Sequence, residues 1–492
     1  MGRGQQPFLR PESETTVRTG RLLLCCIFAL AAGLALPAAL VAAAPDQSVV
    51  GFWLGTLRLP SADVAIIFHL STTPDGKLEA TLDVPDQGAQ GLAVDSTVWT
   101  EGVLRLEIKF IDVVFEGRIA ADGHTLEGSL VQGGKATPLT LQRVEKVPER
   151  ARPQEPKKPY PYREEEVTFE NALAGVKLAG TLTTPTLEEP FPAVVLISGS
   201  GPQDRDSTFM GHRSFLVLAD YLTRRGIAVL RVDDRGVGRS TGDRTRCTSQ
   251  DYADDSLAGV AYLLTRKETN PRQVGLIGHS EGGMLAAMAA AKCRDVAFIV
   301  SMAGDGVPGE QVCLLQSELT MRADGASEEA VAAYQTLLAS VYAVVKEEPD
   351  NTVAAERIRQ VMQEWHVQHP GGSHERAVAE IEAMVGEVLT PWFRYQLTYD
   401  PRPALEKVSV PVLATNGALD LQVPAKQNLS AMEQALRAGG NRHYVVKELP
   451  GLNHLFQTAK TGSPNEYAGI EETMSPLAME TVADWVLQVC AR

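Results

Sequence analysis

From Val167 onward the chain alternates between short, continuously apolar runs and stretches with apolar residues at helical spacing. This alternation constrains the fold more than any other feature. The runs "FPAVVLISGSG", "IAVLRVDDRG", "QVGLIGHS", "VAFIVSMAG", "VPVLATNG" and "HYVVKELPG" have no polar face. Between them lie "SFLVLADYLTRRG", "SLAGVAYLLTRK", "MLAAMAAAKC", "AKQNLSAMEQALRAGG" and "PLAMETVADWVLQV". A strand that is apolar on both faces must be covered on both. The pattern therefore predicts an α/β fold, a mostly parallel sheet with helices on either side. "VTFENALAGVKLAGTLTTP", just ahead of these runs, reads as a hairpin.

The rest of the 492 residues is organised differently. Residues 47–146 carry short alternating runs, with turn signals at Asp75-Gly76 and Asp122-Gly123. They predict a small antiparallel β domain, a sheet or half-open barrel, with Trp53, Phe68, Trp99 and Phe115 in its core or, as the alternative, lining a ligand mouth. Residues 147–166, including "ERARPQEPKKPYPYREEE", read as an extended, solvated linker, and residues 167–492 as the α/β domain. Within it, about residues 306–407 carry three helical patterns and form a helical insert. Such an insert lies over the strand ends, where ligands bind in open sheets. A lid is its functional reading, and a decorative helical layer the alternative. Arg18 and Arg21, followed by "LLLCCIFALAAGLALPAALVAAAP", read as a signal peptide (residues 1–43) cut after Ala43. The protein is then exported, periplasmic or secreted, with no stable membrane span. A retained anchor is the alternative, because the run approaches the ~20 residues of a bilayer span.

A net charge of −15 with no Lys/Arg cluster argues against a nucleic-acid partner. Of six cysteines, Cys247, Cys293, Cys313 and Cys490 lie beyond the signal. They are not spaced as a metal site, and either disulfides or buried thiols fit. "DDRGVGRS", Asp233 to Ser240, lacks the Gly-Lys-Ser/Thr ending of a phosphate loop. No cofactor or metal is called for.

The chemistry concentrates in "GLIGHSEGGMLAA". Gly278-His279-Ser280-Glu281-Gly282 fits G-x-S-x-G, a turn so tight that side chains two before and two after the serine would clash. It sits between a buried strand and a small-residue helix, where the serine hydroxyl stands above the sheet. On these residues the stretch from Val167 to Cys490 resembles the α/β-hydrolase family, and within it the serine esterases. The resemblance implies the order nucleophile, acid, base. Asp420, after "VPVLATNG", and His454, after "HYVVKELPG", stand in those places. It also implies an oxyanion hole made by the backbone N–H groups of Glu281 and Ser200, with Gly201 as the fallback. "SGSGPQDRD" here resembles the oxyanion loop of a group of bacterial esterases, although the family often writes His-Gly where this chain has Ser198-Gly199. Glu281 is expected to act through its N–H more than its carboxylate. Asp204, Arg205 and Asp206 read as an ion-pair network shaping the loop, Arg235 as structural and His279 as part of the turn. His212 is the rival base. The aromatic stretch Pro391 to Pro401 lines the pocket or anchors the insert.

The reaction implied is hydrolysis of a small-molecule carboxylic ester through an acyl-serine. A serine peptidase or acyl-peptide hydrolase of the same fold shares the triad. Such enzymes often carry a propeller, and no blade repeat is visible here. An exported ligand-binding protein with a dead hydrolase domain is a further alternative, opposed by the intact Ser280, Asp420 and His454.

Overall fold

The computed structural model describes residues 49–491, apart from 59–62, 86–88, 133, 148–149, 187–188 and 371–373. The segment read as a signal peptide lies outside the described residues.

Nine antiparallel strands form the first sheet. They are β1 (Gly51–Arg58), β2 (Asp63–Thr72), β3 (Leu78–Val84), β4 (Ala89–Ala93), β5 (Ser96–Thr100), β6 (Val103–Ile108), β7 (Val113–Ile119), β8 (Thr125–Gln132) and β9 (Lys135–Val144). The order is β4-β3-β2-β1-β9-β8-β7-β6-β5, and the sheet curls until β5 lies against β3. Alternate residues point into one core, where Trp53, Phe68 and Phe115 are wholly buried and Trp99 is partly buried at its margin. Both Asp-Gly turns sit between paired strands, β2–β3 and β7–β8. The run "RLEIKFIDVVFEGRIA" is two strands, because a tight turn at Lys109–Ile111 ends with Asp112 in the left-handed region, at φ 50°. That turn lies against a helix of the insert, α7 below.

The second sheet has eight strands. Around it the chain runs β10 (Arg163–Asn171), β11 (Val176–Thr184), β12 (Phe191–Ile197), a small ribbon of β13 (Thr208–Phe209) and β14 (His212–Arg213), α1 (Ser214–Arg224), β15 (Ala228–Val232), α2 (Ser249–Leu264), β16 (Thr269–His279), α3 (Glu281–Ala290) and β17 (Ile299–Met302). The insert follows as α4 (Gly309–Ala323), α5 (Glu328–Glu347), α6 (Asn351–Gln368), α7 (His374–Val388), α8 (Pro391–Thr398) and α9 (Arg402–Leu405). The chain closes with β18 (Val412–Gly417), α10 (Ala425–Ala438), β19 (Tyr444–Leu449) and α11 (Pro476–Cys490). The order β10-β11-β15-β12-β16-β17-β18-β19 is antiparallel across the first three strands and parallel thereafter.

The two faces explain the continuous apolar strands. Val195, Leu230 and Leu276 pack under α2, α3 and α10, while Val194, Leu196, Val229 and Ile277 pack under α1 and α11. The insert has its own core of Leu337, Val341, Ile358, Val385 and Phe393. The linker is exposed over much of its length, yet side-chain hydrogen bonds tie it to the rest of the chain. Its Arg152 donates to the carbonyls of Gly211, Ala468 and Ile470, and Gln154 donates to that of Met474. Cys247, Cys293 and Cys490 are free thiols. Among the described residues no helix is long and apolar enough to cross a membrane.

Candidate active site

The β16–α3 turn shows why its glycines are there. A Cβ on Gly278 would lie 1.9 Å from the Gly282 carbonyl oxygen, and one on Gly282 2.3 Å from that of Ile197. Any larger residue forces the turn open. Ser280 is held at φ 57°, ψ −127°, a region that side-chain-bearing residues rarely adopt and that persists only where the surroundings enforce it. Its N–H donates to the Met302 carbonyl at 2.8 Å, which ties the turn to the end of β17.

Three side chains from three strand ends meet at this turn. His454, after β19, has Nε2 3.1 Å from Ser280 Oγ. Its Nδ1 lies 2.8 Å from Asp420 Oδ2, after β18. Asp420 and His454 are buried, and the other Asp420 oxygen accepts the N–H groups of Gln422 and Val423 at 2.8 and 2.9 Å. An ionised carboxylate only accepts, so the imidazole proton sits on Nδ1 and the Nε2 lone pair faces the serine.

The other two histidines have different work. His279 Nε2 donates to the His454 carbonyl at 2.8 Å, so it supports the base loop. Burial, followed by the neighbouring His454, holds its pKa down to about 3. His212 is wholly buried, with Nδ1 3.0 Å from Thr473 Oγ1 and Nε2 2.9 Å from the Tyr467 carbonyl. Both ring nitrogens are engaged away from Ser280, which removes it as a rival base.

The loop after β12 passes over the nucleophile. A Cβ on Gly199 would lie 3.0 Å from Ser280 Cβ. Asp234 holds the loop, accepting from Ser198 Oγ at 2.8 Å and from the Gln203 N–H at 2.9 Å. Arg205 grips Asp233 through Nε at 3.0 Å and Nη2 at 2.8 Å, and reaches Glu166 at 2.6 Å. Asp206 pairs with buried Arg231, and Asp204 accepts the N–H groups of Asp206 and Thr208. All three charges shape the loop. Arg235 clamps Asp255 on α2 at 2.6 Å.

Sequence reasoning missed two buried carboxylates beside the nucleophile. Glu281 accepts from Ser249 Oγ at 2.6 Å and from Trp392 Nε1 at 2.9 Å. Asp305, after β17, accepts from Gln396 Nε2 at 2.7 Å. Burial raises both above the ordinary carboxyl range, Asp305 to about 7. Their partners Trp392 and Gln396 lie on α8, so the aromatic stretch anchors the insert to the nucleophile turn. The only sequence signals were Glu281's place in the motif and the polar residues within that stretch. No group of three or more His, Cys, Asp or Glu side chains able to hold a metal occurs among the described residues.

A doubly covered sheet of this strand order, with a serine on the turn leaving its fifth position, defines an α/β protein of hydrolase architecture. The model of the alpha/beta hydrolase family matches residues 194–468, more than half of the chain, and the protein belongs to that family. Over 108 residues it is 38% identical to the esterase EstD of Thermotoga maritima, a stretch that is 22% of this chain and 26% of that one. The matched part therefore spans about a quarter of that relative. Among solved structures it is similar to Est1E from Butyrivibrio proteoclasticus with ferulic acid bound, at 18% identity and TM-score 0.40, over 66% of this chain and 100% of the other. It is also similar to an esterase of Pyrococcus furiosus, at 14% identity and TM-score 0.39, over 67% and 91% of the two chains.

Proposed function

We propose that the protein is a serine carboxylic-ester hydrolase. The observation that carries this reading is the continuous hydrogen-bonded chain from Ser280 through His454 to Asp420. The name of the matched relative, an esterase, supports the choice of ester over amide.

His454 Nε2 takes the proton of Ser280 Oγ as the oxygen attacks the ester carbonyl. Asp420 fixes the imidazole tautomer and stabilises the imidazolium. The oxyanion is held by the N–H of Glu281, first residue of α3, aided by the helix dipole, and by that of Ser200. Each such donor is worth roughly 3 kcal/mol in comparable sites. The imidazolium then protonates the leaving alcohol. Water activated by the same histidine hydrolyses the acyl-serine, restoring Ser280. The groups that act are all the protein's own. The insert, anchored through α8 beside Ser280, is a lid over the site. The N-terminal run to Ala43 directs export.

The test is a fluorophosphonate probe together with a panel of p-nitrophenyl esters and aminoacyl anilides. The wild type takes up one label on Ser280 and turns over esters, and Ser280→Ala does neither. Faster turnover of anilides than of esters would move the assignment to a peptidase. Undiminished labelling of Ser280→Ala would place the nucleophile elsewhere.

A further inference from the structure

We propose that Trp392 and Gln396 are positioning residues for the nucleophile turn: from one face of α8 they grip the carboxylates that flank it, so the insert acts on the chemical step and not only on access. The proposal rests on the triad reading above and deepens it, because it makes the armed turn depend on the insert.

Both grips are hydrogen bonds to carboxylates shut off from solvent. Trp392 Nε1 donates to Glu281 Oε1 at 2.9 Å and to Oε2 at 3.1 Å. Gln396 Nε2 donates to Asp305 Oδ2 at 2.7 Å. Glu281 is 3% exposed and Asp305 4%. The two donors stand one helical turn apart on α8 and so share a face of the helix. Ser249, at the start of α2, joins the grips. Its Oγ donates to Glu281 Oε1 at 2.6 Å and lies 3.4 Å from Gln396 Oε1. A buried carboxylate is costly once a donor is taken away, so deleting one N–H drives the surroundings to rearrange.

The carboxylates sit where such a shift reaches Ser280. Glu281 follows it directly and opens α3. Asp305 lies just beyond Met302, whose carbonyl accepts the Ser280 N–H at 2.8 Å. One grip therefore holds the turn on its helix side, and the other on the side of β17. The turn needs support from outside. Ser280 stands at φ 57°, ψ −127°, a conformation that relaxes unless its surroundings over-determine it. The glycines that let the turn close carry no side chain to lock it. A clamp on both flanks from a single helix supplies the lock. A nucleophile displaced by a fraction of an ångström loses its alignment with His454 Nε2 and with the substrate carbonyl.

Trp392→Phe deletes the N–H and keeps an aromatic ring. Gln396→Glu sets a second carboxylate against Asp305, and Gln396→Glu/Asp305→Asn restores the pair with donor and acceptor exchanged. Ser280→Ala is run beside them, all in the full chain. The readouts are kcat and KM for p-nitrophenyl acetate and the rate of fluorophosphonate labelling. The acetyl group is too small to need an opened insert, so an effect on access alone would spare this substrate. Trp392→Phe and Gln396→Glu are each expected to lose at least about ten-fold in kcat and in labelling rate. KM should stay within about two-fold, because ground-state binding is untouched. The exchanged pair should recover most of the Gln396→Glu loss. Wild-type kcat and labelling rate in Trp392→Phe would overturn the proposal, as would a Gln396→Glu loss that the exchange leaves in place. If the Gln396 variants fail to fold, Trp392→Phe decides alone. Where labelling is confined to Ser280, wild-type behaviour of Trp392→Phe sinks only the clamp. Labelling that survives in Ser280→Ala sinks the triad reading, and this proposal with it.

Discussion

Four titratable side chains around the site, His212 and Asp305 buried and His279 and Asp234 partly buried, pull stability in opposite directions as pH falls. Burial lowers the pKa of His212 to about 4, and burial with the nearby His454 lowers that of His279 to about 3. Unfolded, both protonate near the ordinary 6.5. Their contribution is therefore present above that value and lost as pH falls from it towards the folded values. Asp234 and Asp305 behave oppositely. Burial raises each from 3.8 to about 7, so their contribution is full below 3.8 and lost as pH rises through about 7. Each displacement corresponds to about 3–5 kcal/mol, so the two pairs largely offset across this window. Asp305→Asn breaks the balance, because asparagine keeps a carbonyl acceptor for Gln396 and never ionises. Denaturant unfolding should find it more stable than wild type by about 4 kcal/mol near pH 8 and equal to it near pH 4. A difference that ignores pH would contradict the assignment. The sequence could not reveal this pair. Asp305 meets Gln396 across 91 positions, and Glu281 meets Trp392 across 111. No local pattern encodes such meetings, whereas Ser280, Asp420 and His454 each follow a recognisable strand.

Elements were legible in proportion to their length and apolar regularity. The strands of the second sheet stood out because they are buried on both faces, and α5, α6 and α7 because their apolar stripes run for several turns. Three insert helices did not stand out, the four-residue α9 among them. The α8 helix has only eight residues, too few for a periodicity window, although Thr390 caps it at 3.1 Å and Pro391 opens it. The α4 helix buries few side chains and so has no strong stripe. One residue on α7 offers a clean test of how the insert is held. Gly386 is exposed within the helix, and a Cβ built there meets nothing within 4 Å. Glycine in a helix interior costs about 0.5–1 kcal/mol relative to alanine. Gly386→Ala should therefore raise the unfolding midpoint by that increment while leaving ester turnover unchanged. A destabilised variant would mean that α7 is not a plain helix at this position. The contrast with Gly278, where a Cβ would strike the Gly282 carbonyl oxygen at 1.9 Å, separates a glycine required by the turn from one that is not.

At the scale of the whole molecule, composition does not register how the linker is held. Proline and charge between residues 147 and 166 suggested a solvated spacer, because neither carries an apolar period. The structure holds this segment by another means, charged donors on backbone carbonyls, which a hydropathy pattern does not register. Arg152 donates to Gly211 at 3.0 Å, to Ala468 at 2.9 Å and to Ile470 at 2.5 Å. Gln154 adds the Met474 carbonyl at 2.7 Å and accepts the Thr473 and Met474 N–H groups. The segment it grips also packs around His212, which meets the Tyr467 carbonyl and Thr473, and Gln457, whose Nε2 donates to the Glu472 carbonyl at 3.0 Å. Gln457 in turn bonds Asn453, one residue before the base, at 2.9 Å. The linker is thus part of the hydrolase body and buttresses the loop that carries His454. Arg152→Ala in the full chain leaves several carbonyls without their charged donor. Such bonds contribute about 1.5–3 kcal/mol, and the unfolding midpoint should fall accordingly. The loss should reach the site as well: kcat for a p-nitrophenyl ester falls, because the base loop has lost its backing, while the rate of a Ser280→Ala background stays at zero. Arg152→Lys keeps the charge but not the fork that spans separate carbonyls, so it should recover only part of the stability. Wild-type unfolding in Arg152→Ala would show instead that these bonds do not hold the linker to the hydrolase body.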